Sequence, residues 1–340
     1  MSLQPPALSA DVSTLADWME LQALSSPRKL STESDIMAIS HVDDDLDTGS
    51  GDSIEADEQA EELVDNIFFE LDRRCTIVGK SYPFTINPTG TSLALKPNLS
   101  DAQYTYLFCL LVSEYRRAQL VSKSVFSPLA DQVEDLFQIC STIAAAGLLN
   151  GCAISFGFPR PDGSGFLDAL KRTFEEGMRE GEVVLKTRHG VPPKTKDGGI
   201  DIIAWRHFPD DLPGKLHLLG QCASGNNYDK KPIRPYINNF FQDWFNCQPA
   251  SPAIEALFIP FMMEESYTFR KDETRAEGRH GHYMVMARTM GVIVDRLRLA
   301  HLVDIGMNIF KDNPTWVQRA KDIHLVRDWV IKTEATLTTT

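Results

Sequence analysis

Apolar residues recur at helical spacing in several stretches of the chain. Between Glu58 and Arg74 the residues Leu63, Ile67, Phe68 and Leu71 share one face, which predicts an amphipathic helix. Ser100-Asp101-Ala102-Gln103 has the form of a capping box and opens a helix expected to run to about Arg117. Ser127-Pro128 predicts another start, with serine as N-cap and proline in the first turn. Its apolar stripe is Leu129, Val133, Leu136, Phe137, Cys140, Ile143 and Ala144, and Gly151 marks its end. Two shorter amphipathic pieces, Thr14 to Leu24 and Thr32 to Ile39, precede these and are separated by Ser25-Ser26-Pro27.

Past residue 150 the period shortens. Ala153–Phe158, Val183–Thr187, Gly199–Trp205 and Lys215–Ala223 read as strands. Pro209, Asp210, Asp211, Pro213 and Gly214 lie between the last two and are suited to a hairpin. The stretch Tyr82–Lys96 reads as an irregular or hairpin segment. Helices are predicted at Gly165–Met178, Ile233–Asn246, His282–Val303 and Thr315–Lys332. No internal repeat is visible. The expected organisation is an acidic, partly disordered segment at 1–57 without a packed core, a helical domain at 58–125, an α/β core at 126–250 and a mostly helical part at 251–340.

Composition narrows the setting. The 340 residues are 43% hydrophobic and 24% charged, a balance typical of globular domains. Apolar runs such as Tyr106–Val112 are too short to cross a bilayer, and Asp11, Asp17 and Glu20 stand where a secretory leader would be apolar. The six cysteines form no C-x-x-C pair and several sit in apolar runs, so reduced, buried thiols and a cytoplasmic location are expected. The net charge of −13 is uneven. Residues 1–70 hold 17 Asp/Glu against Arg28 and Lys29 alone, while the remainder carries 32 basic and 30 acidic groups. A near-neutral body can present a basic groove, whereas the first segment repels phosphate.

The chemistry concentrates in Lys196-Asp197-Gly198-Gly199-Ile200-Asp201-Ile202-Ile203-Ala204-Trp205 and Leu218-Leu219-Gly220-Gln221-Cys222-Ala223. Strand alternation puts Asp201, Ile203 and Trp205 on one face, and His217, Leu219, Gln221 and Ala223 on one face of the partner strand. A carboxylate opening a buried strand is costly unless paired or bound to a metal. The glycines before it leave room for a phosphate backbone to approach.

An Asp-Gly-Gly-Ile-Asp strand, a hairpin and a second strand bearing Gln resembles the PD-(D/E)xK nuclease superfamily, in particular its Mrr-like restriction endonucleases. The resemblance covers roughly Ser127 to Phe245. It implies a restriction-endonuclease-like α/β core, a mixed sheet flanked by helices. It implies also a Mg²⁺-dependent endodeoxyribonuclease acting on DNA in restriction or anti-phage defence, alongside other subunits of a defence system. Asp201 matches the family's aspartate and Gln221 its Glu/Gln. The lysine expected two residues later is Ala223 here, and Lys230 or Lys231 is the candidate for a migrated group. Asp201, Gln221 and the Cys222 carbonyl would be the metal ligands, hard oxygens suited to Mg²⁺. Glu134 is the candidate for the helix carboxylate, with Glu175 and Glu176 as rivals. The competing reading is an inactive nuclease-like module that binds DNA or a partner subunit; homo-oligomerisation is left open.

Other chemistry-bearing residues have plainer expectations. Lys186, Arg188, Lys194 and Lys196 are candidates for phosphate contacts. Arg279-His280-Gly281-His282 is expected to be a loop rather than a metal site. Tyr228 and Trp244 are expected in the core, and Arg296 and Arg298 on a helix surface paired with acids.

Overall fold

The structure is a computed structural model that describes residues 3–7, 9–44, 53–191, 195–230, 232–263, 270 and 272–339. The chain divides into two compact units, 1–131 with 326–340, and 132–325.

In the first unit α1 (Val12–Ser25) starts where Asp11 accepts the Thr14 N–H at 3.0 Å. The strand β1 (Leu30–Thr32) and helices α2 (Glu33–Asp44) and α3 (Ser53–Val78) follow. The hairpin of β2 (Phe84–Ile86) and β3 (Ser92–Leu95) joins β1 in an antiparallel sheet of order β1-β3-β2. In α4 (Asp101–Arg117) the capping box of Ser100 and Gln103 forms as its sequence predicts. On α3, Ile67, Phe68 and Leu71 are buried. One turn further along that face lies Arg74, fully buried.

The Arg74 guanidinium meets Asp17 at 2.6 Å, Glu20 at 3.1 Å and Glu70 at 3.1 Å, and Tyr82 and Tyr106 each donate a 2.7 Å hydrogen bond to Glu20. A buried charge is tolerated only when paired in this way. Burial alone would lower the Arg74 pKa, but the charges of Glu20 and Asp17 hold it well above its usual value. This explains why residues 1–60 differ from their reading as a segment without a core. Leu15, Trp18, Met19, Leu21 and Leu24 of α1 are buried, and two of the segment's acids, Asp17 and Glu20, are neutralised by one arginine distant in sequence.

The second unit is built on a five-stranded mixed sheet. It opens with α5 (Val133–Leu149), β4 (Cys152–Ser155) and α6 (Phe166–Lys171), and α6 continues as a wider π-helical turn over Arg172–Met178. Then come β5 (Glu182–Val183), β6 (Ile202–Trp205), β7 (His217–Cys222), α7 (Arg234–Trp244), β8 (Phe245–Cys247) and β9 (Ile254–Phe258). The unit closes with α8 (Arg275–Met290), β10 (Val292–Val294) and α9 (Arg296–Asp312), and the last helix, α10 (Ile323–Thr339), lies mostly in the first unit. The sheet order is β10-β9-β7-β6-β4, with β5 and β8 forming a separate pair. Strand β6 runs antiparallel to both of its neighbours, β4 and β7, and β7, β9 and β10 run parallel.

Helix α5 is buried almost all round. Gly147 and Gly306 let it approach α9 closely: a Cβ at either position would lie 2.1 Å from a carbonyl oxygen of the other helix, that of Leu302 or Ile143. Elsewhere in the unit, Phe156, Phe166, Phe174, Phe240, Phe241, Trp244 and Phe245 form a buried aromatic cluster with Ile203 and Leu219 of the sheet.

Several boundaries differ from the sequence reading. The chain enters α5 through a 3-10 segment, Ser127–Gln132, and the helix starts at Val133 without a side-chain cap. The helix expected over His282–Val303 is two, because Gly291 at φ +69° ends α8, β10 pairs with β9, and Asp295 caps α9 by accepting the Arg298 N–H. The part expected to be mostly helical supplies two of the five strands of the sheet. Among the described residues no helix is long and apolar enough to cross a membrane.

Glu70 gives the first unit a definite acid response. Burial raises its pKa, but hydrogen bonds and charges from Arg73 and Arg74 outweigh burial and bring it from 4.5 to about 2. A depressed carboxylate pKa stabilises the fold above the unfolded value, and that contribution is lost as pH falls through the folded value. At about 1.4 kcal/mol per pKa unit the effect is about 3 kcal/mol. Chemical denaturation between pH 7 and 2 should show a shallower acid loss for Glu70→Gln than for the parent chain, from a lower starting stability.

Candidate active site

Asp201 stands one residue before β6 and is fixed on every side by the backbone around it. Its N–H donates to the Gly220 carbonyl at 2.9 Å, one residue out of the register that pairs Gly220 with Ile202. Its carbonyl accepts the N–H groups of Phe156 and Gly157 at 2.8 and 2.9 Å, and the Gln138 side-chain amide at 3.3 Å. Its Oδ2 accepts the Cys222 N–H at 2.8 Å. On the other side of the carboxylate lies Gly157: a Cβ there would sit 2.9 Å from Asp201 Oδ1 and 2.7 Å from Gln138 Nε2. Glycine there lets both side chains keep these positions.

The β6–β7 register runs from Trp205–His217 to Ile202–Gly220, so Asp201 and Gln221 are the residues that follow its last pair on the two strands. Gln221 Oε1 is buried and has no hydrogen-bond partner among the described residues. Leaving such an acceptor unsatisfied costs on the order of 1–3 kcal/mol.

The Asp-Gly-Gly turn has a different purpose from the one expected. Gly198 and Gly199 have φ of +67° and +81°, a conformation glycine adopts without strain. The Gly199 N–H closes onto Asp197 Oδ1 at 2.9 Å. A Cβ at Gly199 would lie 2.6 Å from the Tyr236 ring, and one at Gly198 3.3 Å from Phe240. Aromatic rings of α7 fill the space the sequence reading reserved for a phosphate backbone.

Among the expected helix carboxylates, Glu134 is exposed at the first turn of α5. The group from that helix which reaches Asp201 is Gln138, one turn later, and it also donates to Ser155 Oγ at 2.8 Å. Sequence reasoning passed over Gln138 because its partners lie 17 and 63 residues away; the only local hint is its i+4 relation to Glu134. Glu175 accepts the Val183 N–H at 2.7 Å and so ties the π-helical turn to β5. Glu176 lines a recess of about 460 Å³ with His207 and Trp316, beyond the opposite end of β6 from Asp201.

Of the two candidate lysines, Lys230 is exposed in a 3-10 turn, Tyr228–Lys230, and joins no hydrogen bond or ion pair through its side chain among the described residues. Lys231 lies outside the described residues, as does Lys194. Ala223, where the family pattern has lysine, is buried in a cluster with Tyr228, Leu257 and Phe261. Lys186 and Arg188 line a recess of about 480 Å³. The Arg188 guanidinium is engaged by the carbonyls of Gln242 and Phe245 at 2.9 and 2.5 Å, which makes it a support for the end of α7. Lys196 is exposed.

Tyr228 and Trp244 are core residues, as expected. Arg279-His280-Gly281-His282 lies within α8 and not in a loop, because the Thr274–Glu277 capping box starts that helix earlier than its apolar pattern suggests. Arg296 is buried against Met262 and not on a surface, and Arg298 donates to the Ile293 carbonyl at 2.7 Å. Both lie in the first turn of α9. Among the described residues no group of three or more His, Cys, Asp and Glu is placed to hold a metal ion. No protein family, curated protein or solved structure matches the chain.

All six cysteines are free. Burial, and then the charge of Asp201, push the Cys222 thiol well above its usual pKa, and burial pushes that of Cys152 up to about 12. Thiolate is the reactive form, so at pH 8 both thiols stay protonated. Alkylation of the native protein with iodoacetamide, read by peptide mass, should label exposed Cys247 and spare Cys152 and Cys222 until denaturant is added.

Proposed function

We propose that this protein is a metal-dependent phosphodiester hydrolase acting on DNA, with Asp201 and Gln221 holding Mg²⁺. The observation that carries the reading is the buried Oε1 of Gln221, without a hydrogen-bond partner among the described residues, one residue beyond the Gly220 that pairs with Ile202 next to Asp201. An acceptor without a donor, on the strand beside one that opens with a carboxylate, suits a cation. The donor set fits: both groups are hard oxygens, and Mg²⁺ is commonly held by one or two carboxylates with waters and substrate phosphate completing its shell. Such a cation supplies Lewis-acid activation of water and offsets charge growing on the phosphate. The chain's own residues do the positioning. Cys222 N–H and the backbone around Asp201 fix the carboxylate before substrate arrives, and Gln138 braces the strand start from α5. Orientation fixed in advance lowers the barrier without cost at the moment of reaction.

The order of elements supports the same reading. A helix, a strand opened by aspartate, a hairpin and a strand bearing glutamine sit in a mixed sheet flanked by helices, as in the PD-(D/E)xK nucleases that the sequence resembles. A defence role with other subunits follows from that resemblance alone. A second reading has an observation of its own: Ala223 is buried where the lysine belongs and Lys230 reaches no site residue. On that reading the site is a nuclease-like module that binds DNA or a partner without cutting.

Incubation of plasmid and oligonucleotide DNA with Mg²⁺ or Mn²⁺ separates the two. Hydrolysis should be abolished by EDTA and reduced at least ~100-fold by Asp201→Ala or Gln221→Leu, since loss of merely supporting groups at metal sites costs about 10–100-fold. DNA binding without cutting in both metals favours the binding module.

A further inference from the structure

We infer that the site acts on a single-stranded segment of nucleic acid, with Phe158 as the platform on which a base stacks and Lys196 as the flanking phosphate contact. The inference rests on the hydrolase reading above and names its substrate class. Phe158 directly follows Gly157, the residue that abuts Asp201 Oδ1, and its side chain is 54% exposed. The Lys196 ammonium stands 5.4 Å from the centre of the Phe158 ring. Lys196 joins no ion pair among the described residues, so its charge is available to a phosphate.

The pair is held in place from beneath. Arg160 is buried, stacks 4.8 Å from the Phe156 ring and 5.6 Å from the Phe166 ring, and donates to the carbonyls of Ser164 and Lys196. It therefore ties the loop that carries Phe158 to the loop that carries Lys196. A single exposed phenylalanine is ordinary on a protein surface. One anchored to its neighbour by a buried arginine, covered on one face by a cation, and one residue along from the glycine that abuts the Asp201 carboxylate, has the parts of a stacking platform.

The choice of single strand over duplex follows from access. Asp201 Oδ1 lies against the backbone of Gly157, and Asp201 is only half exposed. In a duplex, both faces of each base are covered by neighbours, and extruding one costs unstacking energy. A single strand offers a free base face to Phe158 and a flexible backbone that can lower a phosphodiester toward Asp201.

The test is fluorescence anisotropy with the full chain in EDTA, so that binding is read without cutting. The probes are a labelled 15-mer of DNA, its duplex and the RNA of the same sequence. The single strands should bind more tightly than the duplex, and the DNA and RNA arms show which backbone is preferred. Phe158→Ala should weaken single-strand binding by about 5- to 100-fold, the range for one lost stack, while Phe158→Tyr restores it and duplex binding stays unchanged. Equal affinity for both forms, no binding of either, or single-strand binding indifferent to Phe158→Ala would overturn the inference. Metal-dependent cutting lost in Asp201→Ala but unaffected by Phe158→Ala would sink the inference and leave the hydrolase reading standing.

Discussion

The antiparallel ladder between β6 and β7 is the constraint on which the candidate site depends. Its register sets Ile203 against Leu219 and Ile202 against Gly220, and that pairing brings Asp201 and Gln221 to neighbouring strand ends. A slip of one residue would turn Gln221 to the opposite face and expose half of the buried strand. The Asp201 N–H bond to Gly220 and the Cys222 N–H bond to Asp201 Oδ2 tie the two strands together past the last pair of the ladder. The carboxylate is thus part of the sheet's own hydrogen bonding, and its position is as rigid as the strands.

Close approach does the rest. Gly157 brings the backbone of the loop after β4 against Asp201, and Gly199 brings the turn before β6 against Tyr236. On the other side of the sheet's supporting layer, Gly147 and Gly306 let α5 and α9 touch at their backbones, which fixes the helix that carries Gln138. At Gly147 and Gly306 the contact is with backbone, and at Gly199 φ is +81°, so glycine at these positions determines geometry that no apolar side chain could supply.

What could be read from the sequence followed local rules. The antiparallel pairing of β6 with β7 follows from a period of two and turn residues between the strands, and the α4 capping box needs only four consecutive residues. What could not be read depends on partners distant along the chain. Gln138 belongs to the site only because the fold places it by Asp201 and Ser155. Helix α1 is a core element only because Arg74 neutralises Asp17 and Glu20. The strand β10 lies between two helices in a stretch whose apolar residues suit one continuous helix, and its identity comes from pairing with β9. The two glycines before Asp201 were visible, but their reason was not, since Tyr236 and Phe240 lie far downstream.

The proposed holding of a divalent cation by Asp201 and Gln221 together is tested most directly by Mn²⁺ titration of the full chain, read by electron paramagnetic resonance of the free ion. A specific site is expected in the parent chain, lost in Asp201→Asn and weakened in Gln221→Leu, with both variants folded by circular dichroism. The same Mn²⁺ affinity in Asp201→Asn as in the parent, or no specific binding in the parent at all, would contradict it.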